Sequence, residues 1–490
     1  MNRTVQTIAL AALAVLPAAA QEAGQQPQSM KGVVRKRLAP VSTEVLQVRL
    51  PKPLERKLAD GLSLVVVENH KLPTVVFELV LPATNLNESP GETGVADCVA
   101  DMMKAGTKTR TAKQIAEQLS EMGASLSFDA EFGSQSTRVT ASTLSSNLDK
   151  LIDLLADVLL NPAFPQDELD KWKTRQLTQL QQVRASESFL GLERQRALLY
   201  PDDGRRLVAP GVTEIKAITR EKLLAFYKAN YRPGNSILGV SGDVLMAPLS
   251  RMLDKALGGW EAGSVPEPKV ASLAPIPEKK IYLVDRPNSV QTLLILTNRA
   301  IDRTSPDYVA VQVMNRVLGG GPAGRLFRNI REDKGYTYGA SSSFTSLKYL
   351  AYFGASSSVR TDVTEPALQE FLNEFRDIRD KPVPPEELED AKRAIVANFA
   401  LGLERQAFVL SQILVQKEYT LPADYWDTYP AKVMAVTAAD VERVAKKYIP
   451  LDNVQVVAVG DAAKIRTALA KFGPVEEYTA EGVKATGGGQ

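Results

Sequence analysis

The sequence predicts an α+β protein: two homologous roll domains, each an antiparallel sheet with helices packed on it, related by internal duplication and joined by a linker. Three observations predict this. Several segments recur at a nearly constant offset. Short apolar strands come in adjacent pairs, with helices grouped between the pairs. The chain has 490 residues, long for one domain when about 150 residues per domain is usual.

The repeat is read most easily near the end of each half. ITREKLLAFYKANYRPGNSILGVSGDV (218–244) matches VTAADVERVAKKYIPLDNVQVVAVGDA (436–462). Thr219 pairs with Thr437, Gly242 with Gly460 and Asp243 with Asp461, an offset of 218. Each copy has a Thr, an amphipathic helix, a loop with Asn and an apolar strand ending Gly-Asp. FPQDELDKWK (164–173) pairs with VPPEELEDAK (383–392) at an offset of 219. Both open a long helix with Pro and place acids in its first turn, where they complement the helix dipole. LDKLIDLLADVL (148–159) pairs with LQEFLNEFRDI (368–378) at an offset of 220. The domains are therefore set at 50–245 and 278–465, with 246–277 as the linker because GSVPEPKVASLAPIPEKK is rich in Pro and Ala. Residues 21–49 read as an N-terminal arm and 466–490 as a C-terminal tail, frayed over TAEGVKATGGGQ (479–490).

In the first half, LSLVVVEN (62–69) and TVVFELVLP (74–82) read as strands joined by a Lys-Leu-Pro turn. Helices follow at 94–104 and 111–122, then strands near 124–130 and 135–142, then helices at 145–159 and 166–185. In the second half, LGGGPAGRLFRNIREDKGYTYGASSSF (318–344) leads three glycines into a short helix whose apolar face is Leu326, Phe327 and Ile330. Gly335 is its C-cap. Tyr336, Tyr338, Ala340 and Ser342 then alternate along a strand.

Composition removes several function classes. Lys+Arg is 59 against Asp+Glu 57, so there is no basic excess of the kind nucleic-acid binding uses. The N-terminus reads MNRTVQTIALAALAVLPAAAQ, with a basic start, a short apolar run and Ala18-Ala19-Ala20 before Gln21. Residues 1–20 are expected to be a cleaved signal peptide, and the protein to be exported, to the periplasm. No later stretch is expected to span a membrane. Cys98 is the sole cysteine, expected as a small buried hydrophobe, and His70 the sole histidine, expected in an exposed turn. One His cannot supply the two or three imidazoles of a catalytic zinc site.

GVADCVADMMKAGT (94–107) bears on this directly. Val95, Val99, Met102 and Met103 give the helix its buried face, while Asp97 and Asp101, four apart, share another. Two carboxylates on one face can hold a hard cation only weakly. The stretch resembles the zinc helix of the pitrilysin/insulinase-like metallopeptidases, which include the mitochondrial processing peptidases. That motif is an inverted His-x-x-Glu-His in a Gly-x-Ala-His…Lys-Gly-Thr frame. The frame persists as Gly94, Ala96, Lys104, Gly106 and Thr107. The resemblance places Asp97 and Asp101 on the two His ligands and Ala100 on the catalytic Glu. It places the third ligand within QLTQLQQ (176–182), which has no carboxylate. No metal is expected in this chain, and Ala100 cannot activate a water.

The residues alone allow Arg331 to pair with Glu332 or Asp333 and Tyr338 to be a core residue. The resemblance implies instead that Arg331 and Tyr338, seven apart, are the family's Arg/Tyr pair, reaching a peptide held at the zinc helix, with Gly319, Gly320 and Gly321 letting a substrate backbone approach. It further implies a non-catalytic subunit of a heterodimeric zinc endopeptidase. Its partner would be a homologous chain with an intact motif, carrying the zinc, and its substrate an extended or unfolded peptide. The alternative is a structural or peptide-holding protein without a proteolytic role.

Overall fold

Two sheets with the same strand order organise the chain. The computed structural model describes residues 47–276, 278–449 and 451–485. These belong to one compact unit. The expected signal peptide and most of the expected arm lie outside the described residues. The first half runs β1 (Leu54–Lys57), β2 (Ser63–Glu68), β3 (Thr74–Leu81), α1 (Val95–Met102), α2 (Ala112–Glu121), β4 (Ser125–Asp129), β5 (Thr137–Leu144), α3 (Leu148–Leu160), α4 (Gln166–Arg184), α5 (Glu187–Leu199), α6 (Val212–Ala217), α7 (Arg220–Asn230), β6 (Ile237–Gly242) and α8 (Met246–Leu257). The second runs β7 (Ile281–Asp285), β8 (Gln291–Arg299), α9 (Tyr308–Leu318), a π-helix (Phe327–Asp333), β9 (Thr337–Ser346), β10 (Ala351–Arg360), α10 (Thr364–Asp380), α11 (Pro385–Gly402), α12 (Gln406–Glu418), α13 (Tyr425–Met434), α14 (Ala438–Tyr448), β11 (Gln455–Gly460), α15 (Ala462–Ala470) and β12 (Val475–Tyr478).

The duplication stands. The sheet orders are β1-β2-β6-β3-β5-β4 and β12-β7-β11-β8-β10-β9. Equivalent strands occupy equivalent places, except that the outer edge comes from the N-terminal part of one half and the C-terminal part of the other. Thr219 and Thr437 both cap the helix that follows, accepting from the backbone N–H of Lys222 and Asp440. This explains why Thr recurs at the same place in each copy.

The sheets are mixed rather than antiparallel. β6 runs parallel to β2 and antiparallel to β3, and β11 stands in the same relation to β7 and β8. The predicted pairing of residues 62–69 with 74–82 is therefore replaced: β6 lies between them. Its residues after Ile237 are all buried, as are all those of β11, so a central position suits both strands.

Two boundaries also move. Residues 246–257 form α8, whose Leu249, Leu253 and Leu257 join the first core together with Trp260, so the extended linker is shorter than 246–277. The four-residue spacing of these leucines is the helical signal that the Pro-rich stretch masked. The second domain runs beyond 465: within the expected C-terminal tail, Val475–Tyr478 pair with β7 in parallel, and Leu469 is buried in the second core. At the other end of the chain, Val48 packs with Phe399, Tyr425 and Trp426 of the second half.

Each sheet has one face on its own helices and the other on a helix from the opposite half. Leu190 of α5 packs on Val284, Leu293, Ile295, Val457 and Val459 of the second sheet. In return, Leu410 and Leu414 of α12 pack on Val80, and Ile413 packs on Val65 and Val67. Gln195 donates to Thr297 Oγ1 at 2.7 Å. Arg138 bridges Glu78 of its own sheet and Glu418 of α12, the latter at 2.8 Å. Burial raises the Glu78 carboxyl above its ordinary value, Arg138 opposing it. Gly191 and Gly239 sit at these crossings, where a Cβ would come within 2.9 Å of leucine or isoleucine methyls of the facing element.

Because α12 covers the first sheet, Leu414→Ala should lower stability by about 2–5 kcal/mol, the cost of a large core truncation. Trp172 and Trp260 report on the first half and Trp426 on the second. In urea unfolding followed by fluorescence, all three should move in one transition, at lower denaturant in the variant. Two separated transitions in the wild type would show that the halves are independent.

Candidate functional site

Helix α1 is held from several sides. Gly94 precedes it at φ 91°, a left-handed conformation that favours glycine, and the Pro210 ring lies 2.8 Å from where a Cβ would be. Glu88 Oε1 accepts from the backbone N–H groups of Gly94 (3.0 Å) and Ala96 (2.8 Å). Lys104 Nζ donates to the carbonyl of Leu126 on β4 at 2.7 Å. Gly106 has φ 145°. Thr107 Oγ1 donates to Asp157 at 2.6 Å, and Arg110 pairs with the same carboxylate at 2.7 Å. Every residue of the retained frame except Ala96 thus has a conformational or hydrogen-bonding task, and Ala96 is buried. The frame persists because the fold uses it.

The positions of the chemistry are filled otherwise. Ala100 is buried at 1% exposure and carries no group that could take a proton from water. Asp101 Oδ2 accepts from the Trp172 indole N–H of α4 at 2.7 Å and from Gln176 at 3.5 Å. The helix predicted to carry a third ligand is therefore the one that faces α1, but it presents an indole and an amide, both donors to a carboxylate. Neither residue was singled out from sequence. Trp172 sits in a strongly polar helix, and that isolated aromatic was the available signal.

Asp97 is half-buried, and loss of water pushes its carboxyl up to about 7, with the charges of Asp101 and Glu131 adding to the rise. Glu88 rises to about 8 by burial, against the two N–H bonds it accepts. Cys98 is fully buried, as expected, and burial raises its thiol. His70 is in its expected turn, with Nδ1 2.7 Å from Asp243. These residues do not fit zinc: one carboxylate is committed to an indole, the other is near neutrality, and no imidazole is within the set. Among the described residues, no group of three or more His, Cys, Asp or Glu is arranged to hold a metal ion.

The second locus differs from α1 in exposure. The short helix predicted there is a π-helix, Phe327–Asp333, a form often found at functional sites. Ile330 and Leu326 are buried beneath it. Gly335 ends it at φ 63°, as predicted, with Gly335 N–H donating to Arg331 O and Tyr336 N–H to Ile330 O, both at 3.0 Å. Arg331 stands in the last turn, exposed, with its guanidinium 4.5 Å from the centre of the Phe327 ring. Among the described residues it makes no ion pair with Glu332 or Asp333.

Tyr338 departs from the predicted alternation. Between the pairs Ala340–Ser357 and Thr337–Val359, β9 has one residue more than β10. Thr337 Oγ1 secures this bulge by donating to Ser358 O at 2.7 Å and accepting from Gly339 N–H at 3.1 Å. The extra residue turns Tyr338 away from buried Ala340 and Ser342 to 90% exposure. It is not a core residue. Gly319, Gly320 and Gly321 are explained by this chain's own packing: a Cβ would come within 2.6 Å of Ser342 N, 3.0 Å of the Arg316 backbone and 2.5 Å of the Arg316 guanidinium respectively.

Two α+β units, a degenerate metal helix and a separate Arg/Tyr turn define a metallopeptidase relative without its catalytic groups. Residues 64–198 match the family described as insulinase (peptidase family M16), and residues 217–395 the domain described as peptidase M16 inactive domain. A peptidase M16 inactive domain from Pseudomonas fluorescens superposes with a TM-score of 0.78 at 25% identity, covering 83% of this chain and 98% of that one. A Helicobacter pylori protease gives a TM-score of 0.77 at 19% identity, covering 84% and 100%, a likeness of fold. An uncharacterized zinc protease of Streptomyces coelicolor is 24% identical over 49% of this chain and 53% of its own length. The Bacillus subtilis protein named probable inactive metalloprotease YmfF is 26% identical over 49% of this chain and 56% of its own length. The chain thus spans about half the length of these curated relatives. It belongs to peptidase family M16, the insulinase-like family, and lacks that family's catalytic motif.

The Asp97 carboxyl has a direct consequence for stability. Its folded value, about 7, exceeds the ordinary 3.8, so between these pH values the folded state keeps a proton that the unfolded chain releases. Its contribution to stability is therefore lost as pH rises through this window. Asp97→Asn removes the effect. The variant's melting temperature should match wild type near pH 4 and exceed it by a growing margin towards pH 8. A margin that does not change with pH would contradict the assignment.

Proposed function

We propose that this protein is the non-catalytic, substrate-binding subunit of an exported heterodimeric zinc endopeptidase, and that Arg331 and Tyr338 serve a zinc site carried by a homologous partner. One contrast carries the reading. The groups on α1 are closed off by burial or by an indole, whereas Arg331 and Tyr338 are exposed, flank one glycine-capped turn, and have side chains free of polar partners among the described residues. A guanidinium and a phenol are both donors, suited to a peptide carbonyl and to the oxyanion that forms when it is attacked. Fixing them on a π-helix and a bulged strand limits the ordering needed when substrate binds.

The outer strands give an extended peptide a place to lie. Among the described residues, β4 pairs only with β5 and β9 only with β10, so each is an outer strand of its sheet. β4 also receives Lys104 from α1, which puts one such edge beside the degenerate helix. Strand addition there would supply main-chain hydrogen bonds with little dependence on side-chain sequence.

The test is reconstitution with a periplasmic homologue that retains the inverted zinc motif. The pair should cleave unfolded peptides, and the present chain alone should not. Arg331→Ala should lower kcat/KM of the complex by about 10²-fold, as loss of one oxyanion donor does, while leaving assembly intact. Tyr338→Phe should lower it without altering the fold, since the ring stays and only the hydroxyl goes. Full turnover in both variants would remove these residues from the mechanism. Stable peptide capture with no activation of any partner would favour a peptide-holding role instead.

A further inference from the structure

A cavity of about 450 Å3 opens in the first domain between the end of α3, the outer side of α7 and the loop after α8. It involves none of the residues assigned to substrate binding. Four cations line it, Lys108, Arg220, Lys228 and Arg232, against one acid, Glu261. That is a local charge of +3, in a chain whose whole formal charge is +2. Arg232 is neutralised by Glu261 at 2.9 Å. Among the described residues, Lys108, Arg220 and Lys228 have no carboxylate within ion-pair distance.

Arg220 is the fixed member. Its Nε donates to the carbonyls of Ala163 and Phe164 at 3.0 and 3.1 Å. Phe164 has φ 46°, a left-handed conformation uncommon for a bulky residue, and its ring is fully buried against Tyr227. Strained backbone thus anchors the inner nitrogen of a guanidinium whose two terminal nitrogens make no hydrogen bond to the described residues. Two of the aromatic walls have their polar atoms satisfied. The Tyr227 hydroxyl donates to Leu159 O, and the Trp260 indole to Tyr231 O. What remains is apolar surface beside three cations without a carboxylate partner among the described residues, of which the terminal nitrogens of the Arg220 fork match phosphate geometry.

We propose that this cavity is a binding site for a small organic phosphate, with the phosphate on Arg220, Lys108 and Lys228 and a flat apolar body against Tyr227 and Trp260. The site stands apart from proteolysis and does not require the partner subunit.

Phenyl phosphate is the probe, titrated into the full chain by calorimetry, with inorganic phosphate and phenol as controls. Phenyl phosphate should bind at least tenfold more tightly than either control, because only it uses both halves of the site. Arg220→Gln should weaken it about tenfold or more, the loss of a charge-assisted contact. Arg220 also braces the Phe164 turn, so the double variant Lys108→Gln/Lys228→Gln, at two exposed side chains, serves as the second test and should weaken binding by a similar factor with an unchanged melting temperature. Absence of phenyl phosphate binding, or binding that the double variant leaves unaltered, would overturn the proposal. So would phenyl phosphate no tighter than inorganic phosphate. A lipid source is separated by sedimentation with vesicles of phosphatidylglycerol and phosphatidylcholine. Binding to these vesicles that the double variant abolishes, without binding of phenyl phosphate, would mean a membrane-facing patch in place of the enclosed site.

Discussion

The exchange of helices between the halves is the contact on which the rest depends. Each central strand is apolar on both faces, and its own domain covers only one. α5 and α12 cover the others, and the loss of either helix would leave leucine, isoleucine and valine side chains of the opposite sheet in water. The glycines at the two crossings let the elements meet closely, and Arg138 adds a polar tie across one of them. The halves are therefore joined mainly by packing, and the Pro-rich segment between them needs to supply reach more than rigidity.

This packing accounts for what survives in the degenerate helix. Gly94, Lys104, Gly106 and Thr107 maintain backbone conformation and tie α1 to β4 and α3, so their loss would harm the fold. At the positions that would carry zinc and its base the chain has Asp97, Ala100 and Asp101 instead. Asp101 has found a partner in Trp172, whereas Asp97 remains a half-buried acid whose carboxyl is raised to about 7. A site without chemistry still influences how the protein responds to pH.

Much of this was legible in the sequence. The duplication followed from offsets alone, and Gly335 as a C-cap followed from local backbone preference. Three features were not. The insertion of β6 between β2 and β3 is a long-range pairing, and an apolar run gives no sign of its neighbours. The bulge that turns Tyr338 outward depends on one extra residue in β9 and on the Thr337 hydroxyl, which no two-residue period conveys. The C-terminal strand was hidden in a different way: VEEY is short and mostly polar, and pairs at an edge where polar side chains remain in water.

Reciprocal exchange also constrains how such a protein could arise. A single unduplicated repeat would carry one sheet with an uncovered apolar face and one helix with no sheet of its own to cover. Two identical copies resolve this by trading helices about a twofold axis, each using the same surface. Fusion of the two then keeps the contacts and removes the dependence on concentration. It also frees the copies from being identical, so that one sequence can lose the ligands of its metal helix while the other retains an exposed Arg and Tyr.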